Sequence, residues 1–406
     1  MNFARGLDWK LVAPALALTG IGVALIYSAF HASASPDGQA FWIKQVIWAV
    51  VSFVAMLIVA RLPLKFFDLT AYIFYAVAFI LLVLVLFVGH TRLGATRWFD
   101  FGPISVTPSD IAKVALLVAL ARFLAYSRKG GTESKRNLLI SALLTILVMV
   151  PVLKQPDLGT ALIFVAMLIG LWYWSGAPLL HLAIIATPLV SLLTSAHVVT
   201  WILFFVGLLV FLYFARPTLW VASGVVVLNL IFGIVTPFVW NGLKDYQKLR
   251  IITFLDPGQD PKGAGYQIIQ SQISIGSGGW TGKGYLQSTQ SRLEYLPERH
   301  TDFIFSILGE EWGFIGALVA LALFGFLLYR MIYIAGRCRS RFSSYVVFGA
   351  AAVMLFQVVA NVGMTVGLMP VTGTPLPFVS YGGTSLMFCW TLIGLTLSAD
   401  ASWQEY

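Results

Sequence analysis

Between Leu293 and Phe303 the chain reads Leu-Glu-Tyr-Leu-Pro-Glu-Arg-His-Thr-Asp-Phe, and it runs on to Gly309-Glu310-Glu311-Trp312-Gly313. Glu298, Arg299, His300 and Asp302 place two carboxylates, a guanidinium and an imidazole within five positions, directly ahead of an apolar run. Such a set can take a proton from a poor nucleophile such as an alcohol and hold an anionic leaving group. As plain structure, Asp302 would be a first-turn charge behind a Thr301 cap. Its acid–base neighbours argue for more, because a cap needs none of them. Glu310 and Glu311 reach membrane depth if the helix that follows is continuous, and at least one of them should then pair with a base.

Three further clusters have related chemistry. Gly94-Ala95-Thr96-Arg97-Trp98 is followed by Thr107-Pro108-Ser109-Asp110-Ile111-Ala112-Lys113. Thr107 can cap a helix with Pro108 in its first turn, and Asp110 and Lys113, three apart, share a face. A local ion pair is the plain reading; the functional one has Lys113 lining a polar cavity where it meets a phosphate. The planar fork of Arg97 matches phosphate oxygens better still. Lys154-Gln155-Pro156-Asp157-Leu158-Gly159-Thr160 sits between two apolar runs with almost no loop. Helix-start electrostatics explain Asp157 but not Lys154 beside it. The Gly-rich pieces at 263–265, 276–279 and 282–284 lack a Walker pattern, so they are read as turns and close backbone packing, with no nucleotide site.

The elements that must position these residues follow from composition. Of 406 residues, 59% are hydrophobic and 11% charged, against roughly 25% charged in soluble domains. Apolar runs near the length needed to cross a bilayer recur at 11–30, 44–60, 67–89, 109–125, 138–153, 157–174, 178–195, 199–215, 218–238, 303–329, 345–368 and 382–398. Backbone amides in lipid must be satisfied internally, and these runs are too long and too uniformly apolar for barrel strands, so the spans are helices. The expected fold is an all-α, polytopic membrane bundle of about 10–12 transmembrane helices. Residues 1–406 form one membrane domain in this reading, with a large extracytoplasmic loop at 239–302.

The net charge of +9 is scattered between spans, which is topology charge and no nucleic-acid platform. With a cytoplasmic N-terminus, most loop Lys and Arg residues fall inside, as the positive-inside rule requires. Both termini are then cytoplasmic and the reactive clusters face outward. Cys338 and Cys389 support neither a disulfide framework nor a thiolate site. Tyr266–Ile275 reads either as a short interfacial helix or as a loop packed on the bundle.

At this point the chain resembles the SEDS family (shape, elongation, division and sporulation proteins) over nearly its whole length. The resemblance rests on Gly94–Trp98, Pro108–Lys113, Gln155–Thr160, Gly263–Gln267, Leu296–Phe305 and Pro375-Leu376-Pro377-Phe378-Val379-Ser380-Tyr381-Gly382-Gly383-Thr384-Ser385. Pro370–Gly373 and the ending Gly383-Thr384-Ser385 look more like the elongation (RodA) branch than the division (FtsW) branch. The resemblance implies a peptidoglycan glycosyltransferase of the inner membrane that polymerises lipid II on the outer face. It implies as partners a class B penicillin-binding protein and other elongation-complex membrane proteins. The family's essential aspartate falls on Asp302, and its cavity residues fall on Asp110 with Lys113 and on Asp157. Dependence on a divalent cation, Mg²⁺ or Mn²⁺, is implied too, although no dedicated ligand cage is visible in the sequence. One departure stands out: the family pattern has about ten spans, and the excess here lies between 178 and 238.

The chemistry expected is attack by a sugar hydroxyl on the anomeric carbon of a lipid-linked diphosphate sugar. Asp302 would act as base, Arg97, Lys113, Lys154 and Arg299 would meet the diphosphate, and Glu298 and His300 would complete the site. A lipid flippase, a division-type polymerase and a non-catalytic scaffold are the alternatives.

Overall fold

The structure, a computed structural model, describes residues 7–31, 36–92, 95–102, 104–127, 135–195, 198–242, 248, 253, 264–289 and 299–404. Glu298 lies outside the described residues, as do Gly94, Gly263 and most of 243–263. The helices are α1 (Trp9–His31), α2 (Pro36–Arg61), α3 (Leu64–Val88), α4 (Pro108–Tyr126), α5 (Lys135–Lys154), α6 (Leu158–Trp174), α7 (Leu179–Thr194), α8 (Val198–Ala215), α9 (Leu219–Gly242), α10 (Ala264–Gly278), α11 (Ile304–Arg337), α12 (Arg341–Thr365) and α13 (Gly383–Gln404). Each apolar run read as a span coincides with one of these helices, and the chain is a multi-pass, all-α membrane protein.

Nine helices among the described residues are long and apolar enough to cross a membrane. Three expected spans fall short by that measure, each for a simple reason. α6 and α7 have only 17 and 16 residues, and α4 carries Asp110, Lys113 and Arg122. A helix can afford such charges only where protein, not lipid, surrounds it. Accordingly Asp110 and Lys113 are buried, with most of the α4 surface.

Contacts divide the chain into two compact units, Met1–Ser175 with Thr253–Tyr406, and Gly176–Ile252. In the larger one, α12 and α13 are 61% and 67% buried along their apolar windows, against 17% and 28% for α2 and α3. The first pair is therefore the interior of the bundle and the second its lipid-facing wall. α13 packs on α2, α4 on α3, α12 on both α6 and α11, and α1 and α10 on α11. One end of this bundle is laced shut by Arg330 on Asp8 (2.6 Å), by Tyr126 donating to Asp68 (2.6 Å) beside Arg122 (3.4 Å), and by Trp174 donating to Ser344 (2.8 Å). The opposite end carries Asp157, Asp302 and the irregular segment 366–382.

The smaller unit is the α7–α9 hairpin set, the region in excess of the expected span count. Leu208, Leu212 and Val225 form its core, with Ile184, Phe204 and Phe211 around them. Asn229 donates to Thr187 (3.0 Å) and Trp201 to Ser191 (3.0 Å). Side-chain bonds of this kind add about 0.6 kcal/mol each inside a membrane.

A three-stranded antiparallel sheet was not foreseen from sequence. β1 (His90–Arg92), β2 (Ala95–Phe101) and β3 (Ile104–Val106) pair in the order β1-β2-β3, with His90 opposite Trp98 and Asp100 opposite Ser105. The strands are too short to give a periodicity signal. Their function is positional, since β2 carries Arg97 between α3 and α4.

Candidate active site

The site is organised by the segment 366–382, which has no regular structure and yet is buried along most of 374–380. A buried loop must find hydrogen-bond partners for its backbone, and here side chains from other elements supply them. Gln45 of α2 donates to the Ser380 carbonyl (3.3 Å) and accepts from the Gly382 amide (3.3 Å). Asn361 of α12 donates to the Thr374 carbonyl (2.8 Å). The Ser380 hydroxyl accepts from the Leu376 amide (2.8 Å) and donates to the Thr301 carbonyl (2.6 Å). Phe378 is held at φ 63°, a left-handed conformation costly for a bulky residue, with its ring against Trp390. The Pro375–Ser385 motif thus encodes a rigid buried loop.

Asp302 lies against this loop. Its Oδ2 is 3.4 Å from the point where a side chain on Gly373 would begin, and Gly373 itself has φ +67°. The Asp302 carbonyl accepts from Asn361 (2.8 Å), and the His300 carbonyl accepts from the Tyr381 amide (2.9 Å). Helix α11 starts at Ile304 with Phe303 at its cap position, so Asp302 stands before the helix and is no first-turn charge. The carboxylate is half-buried, at the end of the bundle and away from the lipid-facing wall. His300 packs edge-on or tilted against Phe30, Phe41 and Tyr381, with centroids 5.0 to 5.5 Å apart. Arg299 is buried with its guanidinium over the Phe30 ring at 5.3 Å. Both side chains therefore brace the Asp302 segment through an aromatic cluster.

The same loop meets α6. Gly159 fits so closely under Thr372 that a Cβ there would lie 2.7 Å from the Thr372 carbonyl. Asp157, the N-cap of α6, accepts from the Thr160 amide (3.2 Å) and hydroxyl (2.9 Å). Arg97 reaches over from β2, donating to the Gln155 carbonyl (2.9 Å) and to the Pro156 carbonyl, with Nη1 3.8 Å from Asp157. Most of its fork thus closes the end of α5. Lys154 lies exposed on the last turn of α5.

At the start of α4, Thr107 occupies the cap position without a side-chain cap bond. Its hydroxyl instead accepts from Thr384 at the head of α13 (3.2 Å). One turn in, Lys113 donates to Asp110 at 2.6 Å and lies 4.9 Å above the Phe388 ring. Beside the pair runs an apolar cavity of about 280 Å³ lined by Trp48, Phe67, Ile111, Val114, Met387 and Phe388. The structure therefore brings Asp302 and the Asp157–Arg97 pair to one loop, 372–382, and joins the Asp110–Lys113 helix to the head of α13, where that loop ends.

A second polar centre was anticipated only in outline. Glu310 is fully buried and accepts from Lys283 (2.7 Å), Ser274 (3.0 Å), Ser288 (2.6 Å) and both the amide (2.9 Å) and hydroxyl (2.7 Å) of Thr289. Lys283 is the base that the carboxylate pair was expected to find. Glu311 accepts from Ser28 of α1. α11 is broken just beyond, at Gly313 (φ 67°). There the 279–284 segment crosses it: Lys283 and Gly284 amides donate to the Glu310 and Glu311 carbonyls, both at 3.0 Å. In turn the Phe314 and Ile315 amides donate to the Gly279 and Trp280 carbonyls, at 2.9 and 3.1 Å. Gly278 and Gly282 permit the contact, for a Cβ on either would lie within 2.1 Å of an α11 carbonyl oxygen. Neither reading of Tyr266–Ile275 holds whole: the segment is helical, as the first had it, but packs on the bundle, as the second had it, with α10 facing α11 through Ser271 against Ser306 (2.6 Å).

The model of the FtsW, RodA and SpoVE family of cell cycle proteins matches residues 9–200 and 177–405. The chain belongs to this family. Among FtsW/RodA/SpoVE members it is 34% identical to the peptidoglycan glycosyltransferase RodA of Treponema pallidum, covering 97% of both chains. It is 36% identical to the peptidoglycan glycosyltransferase MrdB of Escherichia coli, covering 92% of this chain and 90% of that one. A chain from a peptidoglycan synthase complex that coordinates polymerization and crosslinking superposes with a TM-score of 0.73 at 30% identity, covering 98% of this chain and 99% of that one. RodA of Thermus thermophilus superposes at 0.64 with 28% identity, covering 97% of each. For a FtsW/RodA/SpoVE protein, the residues that sequence reasoning passed over are Gln45 and Asn361, while Ser380 enters it only as part of the Pro375–Ser385 string. An amide inside an apolar span is a detectable signal for the first two, because polar groups at membrane depth need a reason.

Proposed function

We propose that this chain, a peptidoglycan glycosyltransferase, polymerises lipid II into glycan strands during cell elongation, with Asp302 as general base and undecaprenyl diphosphate as leaving group. The observation that carries the residue assignment is the half-buried Asp302 carboxylate, fixed before α11 against the loop that also packs on α6. The oxygen of a sugar 4-hydroxyl attacks the anomeric carbon of the lipid-linked donor, its proton passes to Asp302, and the bond to the diphosphate breaks. Proton removal by a positioned carboxylate contributes about 10²–10⁴-fold.

The departing diphosphate needs positive charge in a site of low dielectric. Lys113 suits this best: its ammonium spends one hydrogen bond on Asp110, which leaves two N–H groups. The apolar cavity beside it suits a polyprenyl chain. Lys154, Arg299 and Arg97 serve at longer range, Arg97 chiefly by holding Asp157. Among the described residues no group of three or more His, Cys, Asp and Glu could cage a metal. A Mg²⁺ or Mn²⁺ ion needs only one or two carboxylates when substrate phosphates complete its shell, and Asp110 and Asp157 are available. Such an ion would supply charge to the leaving group.

The site faces outward, since Arg61, Lys65, Arg136, Arg337, Arg339 and Arg341 collect at the other end of the bundle, which positive-inside topology makes cytoplasmic. Both termini are then cytoplasmic. The partner is a class B penicillin-binding protein that cross-links the strands, with other elongation-complex membrane proteins; the likeness to a chain of a synthase complex supports this.

The test is purified full-length protein with its penicillin-binding partner, labelled lipid II and Mg²⁺ or Mn²⁺, scored for polymer on gels. Wild type should polymerise and Asp302→Ala should not. Polymer from Asp302→Ala removes the base assignment, and lipid II crossing vesicle membranes without any polymer replaces the enzyme with a transporter.

A further inference from the structure

We propose that Asn361 is a positioning residue for Asp302, an inference that rests on Asp302 being the base. Asn361 lies on α12, one of the two interior helices of the bundle, and is fully buried. Its Nδ2 donates at 2.8 Å to the Asp302 carbonyl and at 2.8 Å to the Thr374 carbonyl. Both amide protons are thereby used, one on each of two loops far apart in sequence. They are the two loops that flank the Asp302 carboxylate: the one that carries it, and the one whose Gly373 lies beside its Oδ2.

The orientation of the amide is fixed by chemistry. Both neighbours are carbonyl oxygens, which only accept, so the NH₂ end must face them. The Oδ1 at the other end is buried and has no hydrogen-bond partner among the described residues. An amide that leaves its acceptor half unsatisfied is a poor core filler, since a buried polar atom without a partner costs about 1–3 kcal/mol. An apolar residue of similar volume would pack the same space without that cost. What the amide supplies and leucine does not is a pair of parallel donors that set the spacing between the two loops. A Cβ on Gly373 would come into van der Waals contact with Asp302 Oδ2, at 3.4 Å, so the two loops meet at the carboxylate.

The position also forbids a specific replacement. Aspartate has the shape of asparagine but would set a carboxylate against two carbonyls, so Asn361→Asp should be worse than Asn361→Ala. Serine retains one donor and should lie between alanine and wild type.

The experiment compares full-length Asn361→Ser, Asn361→Ala and Asn361→Asp in the lipid II polymerisation assay, with melting temperature measured on each. Loss of the clamp should lower kcat by about 10²-fold in Asn361→Ala, as a misplaced catalytic group does. KM for lipid II should stay within about twofold of wild type, since the clamp touches no binding group. The order of kcat should be wild type, Ser, Ala, Asp, and the acid limb of its pH profile should move as the base changes surroundings. A kcat for Asn361→Ala near wild type, or a fall that only tracks loss of folded protein with an unmoved pH profile, overturns the proposal. Asp302→Asn in the same assay separates the two claims. If it is inactive while Asn361→Ala is normal, only the clamp is wrong; if it still polymerises, the base assignment fails first.

Discussion

Two lysine–carboxylate pairs stand on buried carboxylates in this bundle, and they are built differently: Asp110 and Lys113 are both buried, whereas Glu310 is buried and Lys283 is partly exposed. Glu310 accepts from five donors, of which Lys283 is one, so every lone pair it offers is occupied. Asp110 has a single side-chain donor among the described residues, Lys113, whose remaining contact is the face of Phe388. A saturated pair has no capacity for a ligand and serves to hold chain segments together. An unsaturated one, next to an apolar cavity, keeps charge in reserve at the cost of stability. Burial of a paired carboxylate is therefore not by itself a sign of function; the count of remaining hydrogen-bonding positions distinguishes the two.

Substitutions can break this contrast. The largest effect on stability should come from Glu310→Ala, which takes the acceptor from the buried Ser274 and Ser288 hydroxyls and from Thr289; each buried polar group left without a partner costs about 1–3 kcal/mol. Thermal unfolding in detergent should show it, and a melting temperature equal to wild type would show that Glu310 is not the clasp described. Next, Lys113→Met should lower kcat by about 10²–10³-fold, the loss typical of a transition-state donor. Its melting temperature should fall as well, because Asp110 stays buried and loses its donor, so kcat is compared at equal amounts of folded protein. A Lys113→Met enzyme that polymerises normally would demote this pair to the structural class of the first. The smallest effect on kcat belongs to Gly313→Ala. At φ 67°, with the Gly282 amide 2.3 Å and the Trp280 carbonyl 2.7 Å from any new Cβ, the substitution should cost more than the roughly 1–3 kcal/mol of the strained φ alone, read as a lower melting temperature with only a modest fall in kcat.

The helices were legible because span length in lipid is dictated by bilayer thickness, and 157–174 or 345–368 leaves little freedom. α10 was half-legible: Ser271 and Ser274 share a face with the isoleucines, so periodicity alone left helix and packed loop equal. The 90–106 sheet was not legible, since its strands of three and seven residues are set by antiparallel pairing over the membrane surface. Asp302, Asp110, Lys113 and Asp157 were singled out because an ionisable group at the edge of an apolar span needs a reason. Arg97 was found too, but its main partners are backbone carbonyls, which carry no sequence signature. Asn361 and Gln45 could have been flagged as amides inside apolar spans, but not their partners: which main-chain atoms the fold brings to them is nothing that single-residue chemistry contains.

The exchange of backbone bonds between 279–284 and the break in α11 has a consequence for how this end of the molecule can move. Four main-chain bonds tie the 279–284 strap to both sides of the break in α11, and although the strap itself is largely exposed, Glu310 beneath it is fully buried. The strap thus joins the end of α10 to the first turns of α11, with Asp302 just ahead of them. A shift of α10 is passed to the start of α11 through the backbone.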